Sequence, residues 1–140
     1  MSKIKYFSLS EFLHSSTAKR LGIDNVPTFA TVDNLKRLAQ YLDVVRERLG
    51  KPILISSGFR SPLLNKAVGG VANSQHQKGL AADLVCSDME LLKSVILDIG
   101  GYDQLIKEHR KGSTSYWLHV SISENGVAPR QQVINDLEKK

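Results

Sequence analysis

The longest periodic stretch of the chain covers residues 31–49. Leu35, Leu38, Leu42, Val45 and Leu49 recur there at intervals of three and four, which lays a single apolar stripe along a helix. Thr31 or Asp33 can cap its start, Gly50 ends it and Pro52 prevents it from resuming. A second helix is predicted over 89–98, capped by Asp88 and stopped by Gly100-Gly101, with Leu91, Leu92, Val95, Ile96 and Ile99 facing inward. Short apolar runs rich in β-branched residues predict strands at 53–57, 80–86, 102–107 and 116–122. Pro62 opens a short helix over 63–67, since proline is tolerated at a first helical position. The last two strands flank a polar loop at 109–115 and are expected to pair as an antiparallel hairpin. Residues 1–30 are less regular. Ser10 can cap a short helix through Phe12 and Leu13, and Asn25-Val26-Pro27-Thr28 breaks the chain. Residues 68–74 read as a flexible loop, and 131–140 as a short helix or a disordered end. This order predicts an α+β domain over 1–125, a small, mostly antiparallel sheet packed with helices, followed by a polar tail over 126–140.

Composition supports one packed core. The chain has 140 residues, 41% of them hydrophobic and 24% charged. No apolar run approaches the ~20 residues of a membrane span. Met1-Ser2-Lys3-Ile4-Lys5-Tyr6 has no apolar stretch behind it, so no signal peptide is expected and the protein reads as cytoplasmic when made. Nineteen basic against 14 acidic side chains give a net charge of +5, which favours adhesion to an anionic polymer, either nucleic acid or cell wall. The charges are scattered, and the densest cluster, Lys107-Glu108-His109-Arg110-Lys111, contains an acid. Charge alone therefore gives nucleic-acid binding little support. The single cysteine, Cys86, excludes an intrachain disulfide and a multi-cysteine zinc site, and its apolar surroundings predict a small buried hydrophobe. His14 has no acid or histidine at ligand spacing and reads as a surface residue.

The candidate chemistry centres on Ser74-Gln75-His76-Gln77-Lys78-Gly79-Leu80-Ala81-Ala82-Asp83 and Tyr116-Trp117-Leu118-His119-Val120-Ser121. Asp83 falls in the run Gly-Leu-Ala-Ala-Asp-Leu-Val-Cys, and a carboxylate half buried there needs a partner. A metal ion is one such partner, an arginine or lysine the other. His76, Asp83 and His119 form a ligand set that Zn²⁺ accepts, with a fourth position left for water or substrate, and that does not exclude Mn²⁺, Fe²⁺ or Co²⁺. The gap from His76 to Asp83 is not a helical repeat, so the set needs a loop leading into a strand. Hydrolysis at such a centre requires a base to take a proton from metal-activated water and return it to the leaving amine. Glu108, at a strand end, is the first candidate and Asp103 the second. Arg60 follows the strand at 53–57 and can offer a bidentate fork to a carboxylate.

Ser74-x-His76-x-x-Gly79-x-Ala81-x-Asp83 resembles the first zinc motif of the D-Ala-D-Ala carboxypeptidase and hedgehog-like zinc peptidases. Trp117-Leu118-His119-Val120-Ser121 resembles their second. Ser56-Ser57-Gly58-Phe59-Arg60-Ser61-Pro62 is similar to the family's substrate-arginine turn. Tyr102-Asp103-Gln104-Leu105-Ile106-Lys107-Glu108 is similar to the strand that carries the catalytic acid in phage-type peptidoglycan peptidases. The resemblance extends from about Tyr6 to Ile122. It implies a hedgehog/DD-peptidase-like fold and one Zn²⁺ held by His76, Asp83 and His119. It implies Glu108 as general base and acid, Arg60 as the group that binds a substrate carboxylate or steadies the carbonyl, and Ser74 as an aid in positioning the peptide. Many carboxypeptidase members hold an acid three residues before the final histidine, where this chain has Tyr116; Glu108 then takes that part. Gln75 and Trp117, beside the ligands, are candidates for lining the cleft.

The resulting expectation is a monomeric zinc metallopeptidase acting on peptidoglycan stem peptides or cross-links, as a carboxypeptidase or an endolysin-like endopeptidase. A phage or prophage enzyme released to the cell wall by a separate pore fits the missing leader. The alternative is a metal-containing binding module without turnover, which would need neither Glu108 nor Arg60. A nucleic-acid-binding domain would leave His76, Asp83 and His119 unexplained.

Overall fold

A computed structural model describes residues 4–139. Met1, Ser2, Lys3 and Lys140, which belong to the predicted entry segment and tail, lie outside the described residues. The chain folds as helices α1 (Leu9–Leu13), α2 (Ser16–Leu21), α3 (Phe29–Leu49), α4 (Pro62–Ala67) and α5 (Met89–Ile99) with strands β1 (Leu54–Ser57), β2 (Ala81–Val85), β3 (Gln104–Arg110), β4 (Tyr116–Ser121) and β5 (Gln132–Lys139). A 3₁₀ turn at Gln75–Lys78 leads into β2. The sheet order is β1-β2-β4-β3-β5. Its pairings are antiparallel except β3 with β5, which is parallel. The α+β architecture and the β3–β4 hairpin are as expected.

The stripe of α3 is the centre of the core. Leu35, Leu38, Leu42 and Val45 are fully buried, Leu49 nearly so, and Ala39 packs beside them. Thr28 caps this helix by accepting from the Thr31 backbone N–H, three residues before the expected start. At its other end Gly50 takes the left-handed conformation. Helix α5 packs on α3 and contributes Leu92, Val95 and Ile96 to the same core. The inward face of the sheet adds Ala82, Leu84, Leu105, Leu118 and Val120. Because side chains alternate along a strand, the residues between these point away from the core, to the other face of the sheet.

Several sequence expectations need correction. Helix α1 starts at Leu9 and is capped by Ser8 rather than Ser10, because Glu11 at the third helical position reaches back to the Ser8 N–H at 2.7 Å. Helix α2 was not predicted; it buries only Ala18 and so shows no stripe. Cys86 is half-buried, with Sγ accepting from Asp88 N–H at 3.4 Å. The largest difference is at the C-terminus. Residues 132–139 are neither helix nor disordered end but the edge strand β5, paired along β3 from Gln104↔Gln132 to Arg110↔Lys139.

Candidate active site

Register places the site residues on the face of the sheet away from the helical core. Asp83 on β2 lies directly opposite His119 on β4, and Glu108 on β3 lies opposite Trp117 on β4. Trp117 and His119 are two residues apart, so Asp83, His119, Trp117 and Glu108 share one face. His76 reaches them from the 3₁₀ turn. Ser74 caps that turn, its hydroxyl accepting from the His76 N–H at 3.2 Å. Gly79 closes the turn with φ +73°, and a Cβ there would meet the Thr31 carbonyl oxygen at 2.7 Å. Only glycine combines that backbone with so close an approach to α3. The chain then turns directly into β2 and brings Asp83 beside His76.

His76, Asp83 and His119 are all buried, and one potential ligand atom from each lies within 4.8 Å of the others. His76 Nε2 stands 3.3 Å from Asp83 Oδ1 and His119 Nδ1 stands 3.4 Å from the same oxygen. In a tetrahedral zinc site with bonds of about 2.0–2.1 Å, neighbouring ligand atoms are about 3.3–3.4 Å apart. Asp83 Oδ1 is buried and accepts no hydrogen bond among the described residues, so a desolvated carboxylate oxygen faces two imidazole nitrogens. A cation between the three atoms satisfies all of them, and two nitrogens with one oxygen suit zinc. The opposite nitrogen of His76, Nδ1, is 2.7 Å from the Gly58 carbonyl, which orients the ring with Nε2 toward Asp83. Burial opposes ionisation of Asp83, but the adjacent His76 and His119 outweigh it and hold the carboxyl well below the usual carboxylate range.

The two partners expected for Asp83, a metal ion or an arginine, do not compete for the same oxygen. While Oδ1 faces the imidazoles, Oδ2 pairs with Arg60 Nη2 at 3.5 Å. Arg60 is mostly buried and its fork is fixed on two further sides, with Nε donating to Ser57 Oγ and Nη1 to Asn65 Oδ1, both at 3.1 Å. Burial lowers its pKa, while Asp83 and Glu108 oppose that shift. Asn65 is 2% exposed and also donates to the Val71 carbonyl at 2.8 Å, so it braces Arg60 against the loop before Ser74. Sequence reasoning missed Asn65; its position five residues after the arginine, within α4, was the available signal.

Glu108 is buried, with Oε1 accepting from the Trp117 indole N–H at 2.8 Å and Oε2 lying 3.5 Å from Lys139 Nζ. Trp117, a candidate for lining the cleft, thus anchors the candidate base. Asp103 has a different environment. It accepts from Gln75 Nε2 at 2.9 Å and from Arg130 Nε at 3.1 and 3.2 Å and Nη2 at 2.7 Å. Those Arg130 bonds hold its carboxyl down, at about 2. Asp103 therefore fastens the segment before β5 to the turn that carries His76, and leaves Glu108 as the candidate carboxylate on the triad's face of the sheet. Gln75 belongs to that fastening. Tyr116 projects to the core side of β4, where it packs against the core and its hydroxyl donates to Glu90. Burial first, and Glu90 second, push the phenol up to about 12. It cannot replace a catalytic acid.

A family model described as Peptidase M15 matches residues 5–121. The zinc D-Ala-D-Ala carboxypeptidase of Streptomyces albus G is 50% identical over 44 residues, which cover 31% of this chain and 17% of that enzyme. Among the described residues no helix is long and apolar enough to cross a membrane. The family model spans α1 through β4, including the loop–strand–hairpin constellation of His76, Asp83 and His119, and the chain belongs to the peptidase M15 family.

Proposed function

We propose that the protein is a zinc peptidase that hydrolyses peptide bonds in peptidoglycan stem peptides or cross-links. The observation that carries this reading is the buried His76–Asp83–His119 triad with a buried carboxylate, Glu108, on the same face of the sheet. A binding module would have no need to hold that acid out of water at a cost in desolvation. His76, Asp83 and His119 would hold the zinc ion, which when bound polarises a carbonyl and acidifies water. Glu108 acts as general base toward the water and returns the proton to the leaving amine. Its anchor, the Trp117 indole, fixes Oε1 and leaves Oε2 to exchange the proton. Arg60, fixed by Ser57, Asn65 and Asp83, directs its remaining hydrogen-bonding capacity toward a substrate carboxylate or the polarised carbonyl. The peptidoglycan substrate is inferred from the Streptomyces albus G enzyme, whose name specifies D-Ala-D-Ala.

The test is incubation of the zinc-loaded protein with purified cell wall, followed by measurement of new amines and mass spectrometry of the released peptides. Chelation is expected to abolish release and zinc to restore it. Glu108→Gln is expected to retain one zinc per chain and lose about a hundredfold or more in rate. Zinc binding without any turnover on wall or soluble stem peptides would indicate a binding module instead.

A further inference from the structure

β5 lies beyond the segment that the family model matches, yet it touches the site. The contact depends on a slip in register. Ile106 pairs with Ile134, but two residues later Glu108 pairs with Leu137, so β5 accommodates one extra residue at Asn135 or Asp136. A bulge of this kind reverses which side chains face which side of the sheet. Without it, Asp136 would stand opposite Glu108 and Glu138 opposite Arg110, placing two more carboxylates along the site face. With it, Leu137 and Lys139 occupy that face. Asp136 instead binds His109 Nε2 at 2.9 Å, which pins the bulge from the other side. The C-terminal end of the strand is held as well, since the Lys111 N–H donates to the Lys139 carbonyl at 2.9 Å.

We infer that β5 is a working part of the active site and that Lys139 is a positioning residue, its ammonium holding Glu108 Oε2 while Trp117 holds Oε1. This rests on the reading of Glu108 as the general base. The two contacts differ in kind. The indole bond is 2.8 Å, whereas the ammonium stands 3.5 Å from Oε2, longer than the ~2.7–2.9 Å of a tight charge-assisted hydrogen bond. Lys139 thus sets the orientation of the carboxylate and leaves lone pairs on Oε2 for the proton that the reaction moves. It acts through Glu108 and need not touch substrate.

Trp117 is the only tryptophan, so its single indole N–H resonance reports the state of Glu108 without any assay of turnover. Five full-length, zinc-loaded variants are compared with the wild type: Lys139→Met, Lys139→Arg, Lys111→Met, Glu108→Gln and the double variant Glu108→Gln with Lys139→Met. Lys139→Met is expected to move the indole resonance and to lower kcat on a soluble stem peptide about tenfold to a hundredfold, with KM unchanged. Lys139→Arg should restore both to near wild type, and Lys111→Met should move neither. In the Glu108→Gln background, Lys139→Met should cost nothing more, because the two act as one unit. Wild-type indole position and kcat in Lys139→Met would overturn the inference. So would a rise in KM alone, which marks a substrate contact, or equal losses in the Met and Arg variants, which mark a merely structural strand end. If Glu108→Gln turns over at the full rate, the base assignment itself is wrong. If Glu108→Gln is inert and Lys139→Met fully active, only the role of Lys139 fails.

Discussion

Two buried carboxylates, Asp83 and Asp103, show how the local partner decides what an acid does. Each is desolvated and each is held in its charged form, but among the described residues Asp83 keeps one oxygen without a hydrogen bond while Asp103 is bonded by Gln75 and Arg130. Asp103 is therefore a stability residue, and its effect depends on pH in a defined direction. Its folded pKa is depressed, so the stabilisation is present above the unfolded value near 4 and is lost as pH falls through about 2. Asp103→Asn is expected to cost about 1–2 kcal/mol at neutral pH, the lower end reflecting the exposure of Arg130 to solvent. The difference between wild type and variant should shrink as pH falls from about 4 to about 2. Urea unfolding across that range measures it, and a gap that stays constant would mean that charge is not the cause. The zinc content of Asp103→Asn at pH 7 should remain one per chain, since neither of its partners is a ligand.

The turn from His76 to Asp83 is the element on which the candidate metal centre depends. Its geometry requires Gly79 in the left-handed conformation against the Thr31 carbonyl. Gly79→Ala is expected to destabilise the fold by more than about 1 kcal/mol and to weaken zinc affinity, because strain there displaces His76 from Asp83. Leu42→Ala, in the middle of α3, should cost about 2–5 kcal/mol and leave zinc affinity unchanged. Zinc titration of the two variants at matched stability separates a local from a global effect. The same contrast explains what could be read in the chain. α3 was legible because five residues at helical spacing have no other use than burial, and the turn because Asp83 in an apolar run needs a partner and because Ser74, His76, Gly79, Ala81 and Asp83 resemble a known zinc motif. β5 was not legible. In Gln132, Val133, Ile134, Asn135, Asp136, Leu137, Glu138 and Lys139 two apolar residues stand side by side before the bulge and only Leu137 after it, and an edge strand exposes most of its side chains, so the period of two never develops. The Trp117 bond to Glu108 was likewise invisible, since it depends on cross-strand register. Asp103 read as a second base because its partner Arg130 fell in what looked like a tail.

The candidate site draws on segments far apart in the chain: Arg60 after β1, His76 before β2, Asp83 on β2, Glu108 on β3, His119 on β4 and, on the inference above, Lys139 on β5. The apolar core fastens the sheet to α3 and α5, while the outer face carries the triad and its polar contacts beside buried Ala81 and Ile106. A ligand that binds only the folded chain stabilises it by RT ln(1 + [L]/Kd), about 2.7 kcal/mol at free zinc one hundred times Kd. At roughly 4 °C per kcal/mol, zinc saturation is expected to raise Tm by about 10 °C over the chelated protein. The increment should continue to grow with the logarithm of free zinc. His119→Ala should abolish the increment, because it removes one of the three ligand atoms and leaves the other two without closure. Leu42→Ala should lower Tm with and without zinc by similar amounts, since its contacts lie on the opposite side of the sheet. Calorimetry of wild type and both variants, in chelator and across a zinc series, measures all of these quantities. A Tm indifferent to zinc in the wild type would mean that His76, Asp83 and His119 do not close around the ion. An increment that survives His119→Ala would place the stabilising metal somewhere else in the molecule.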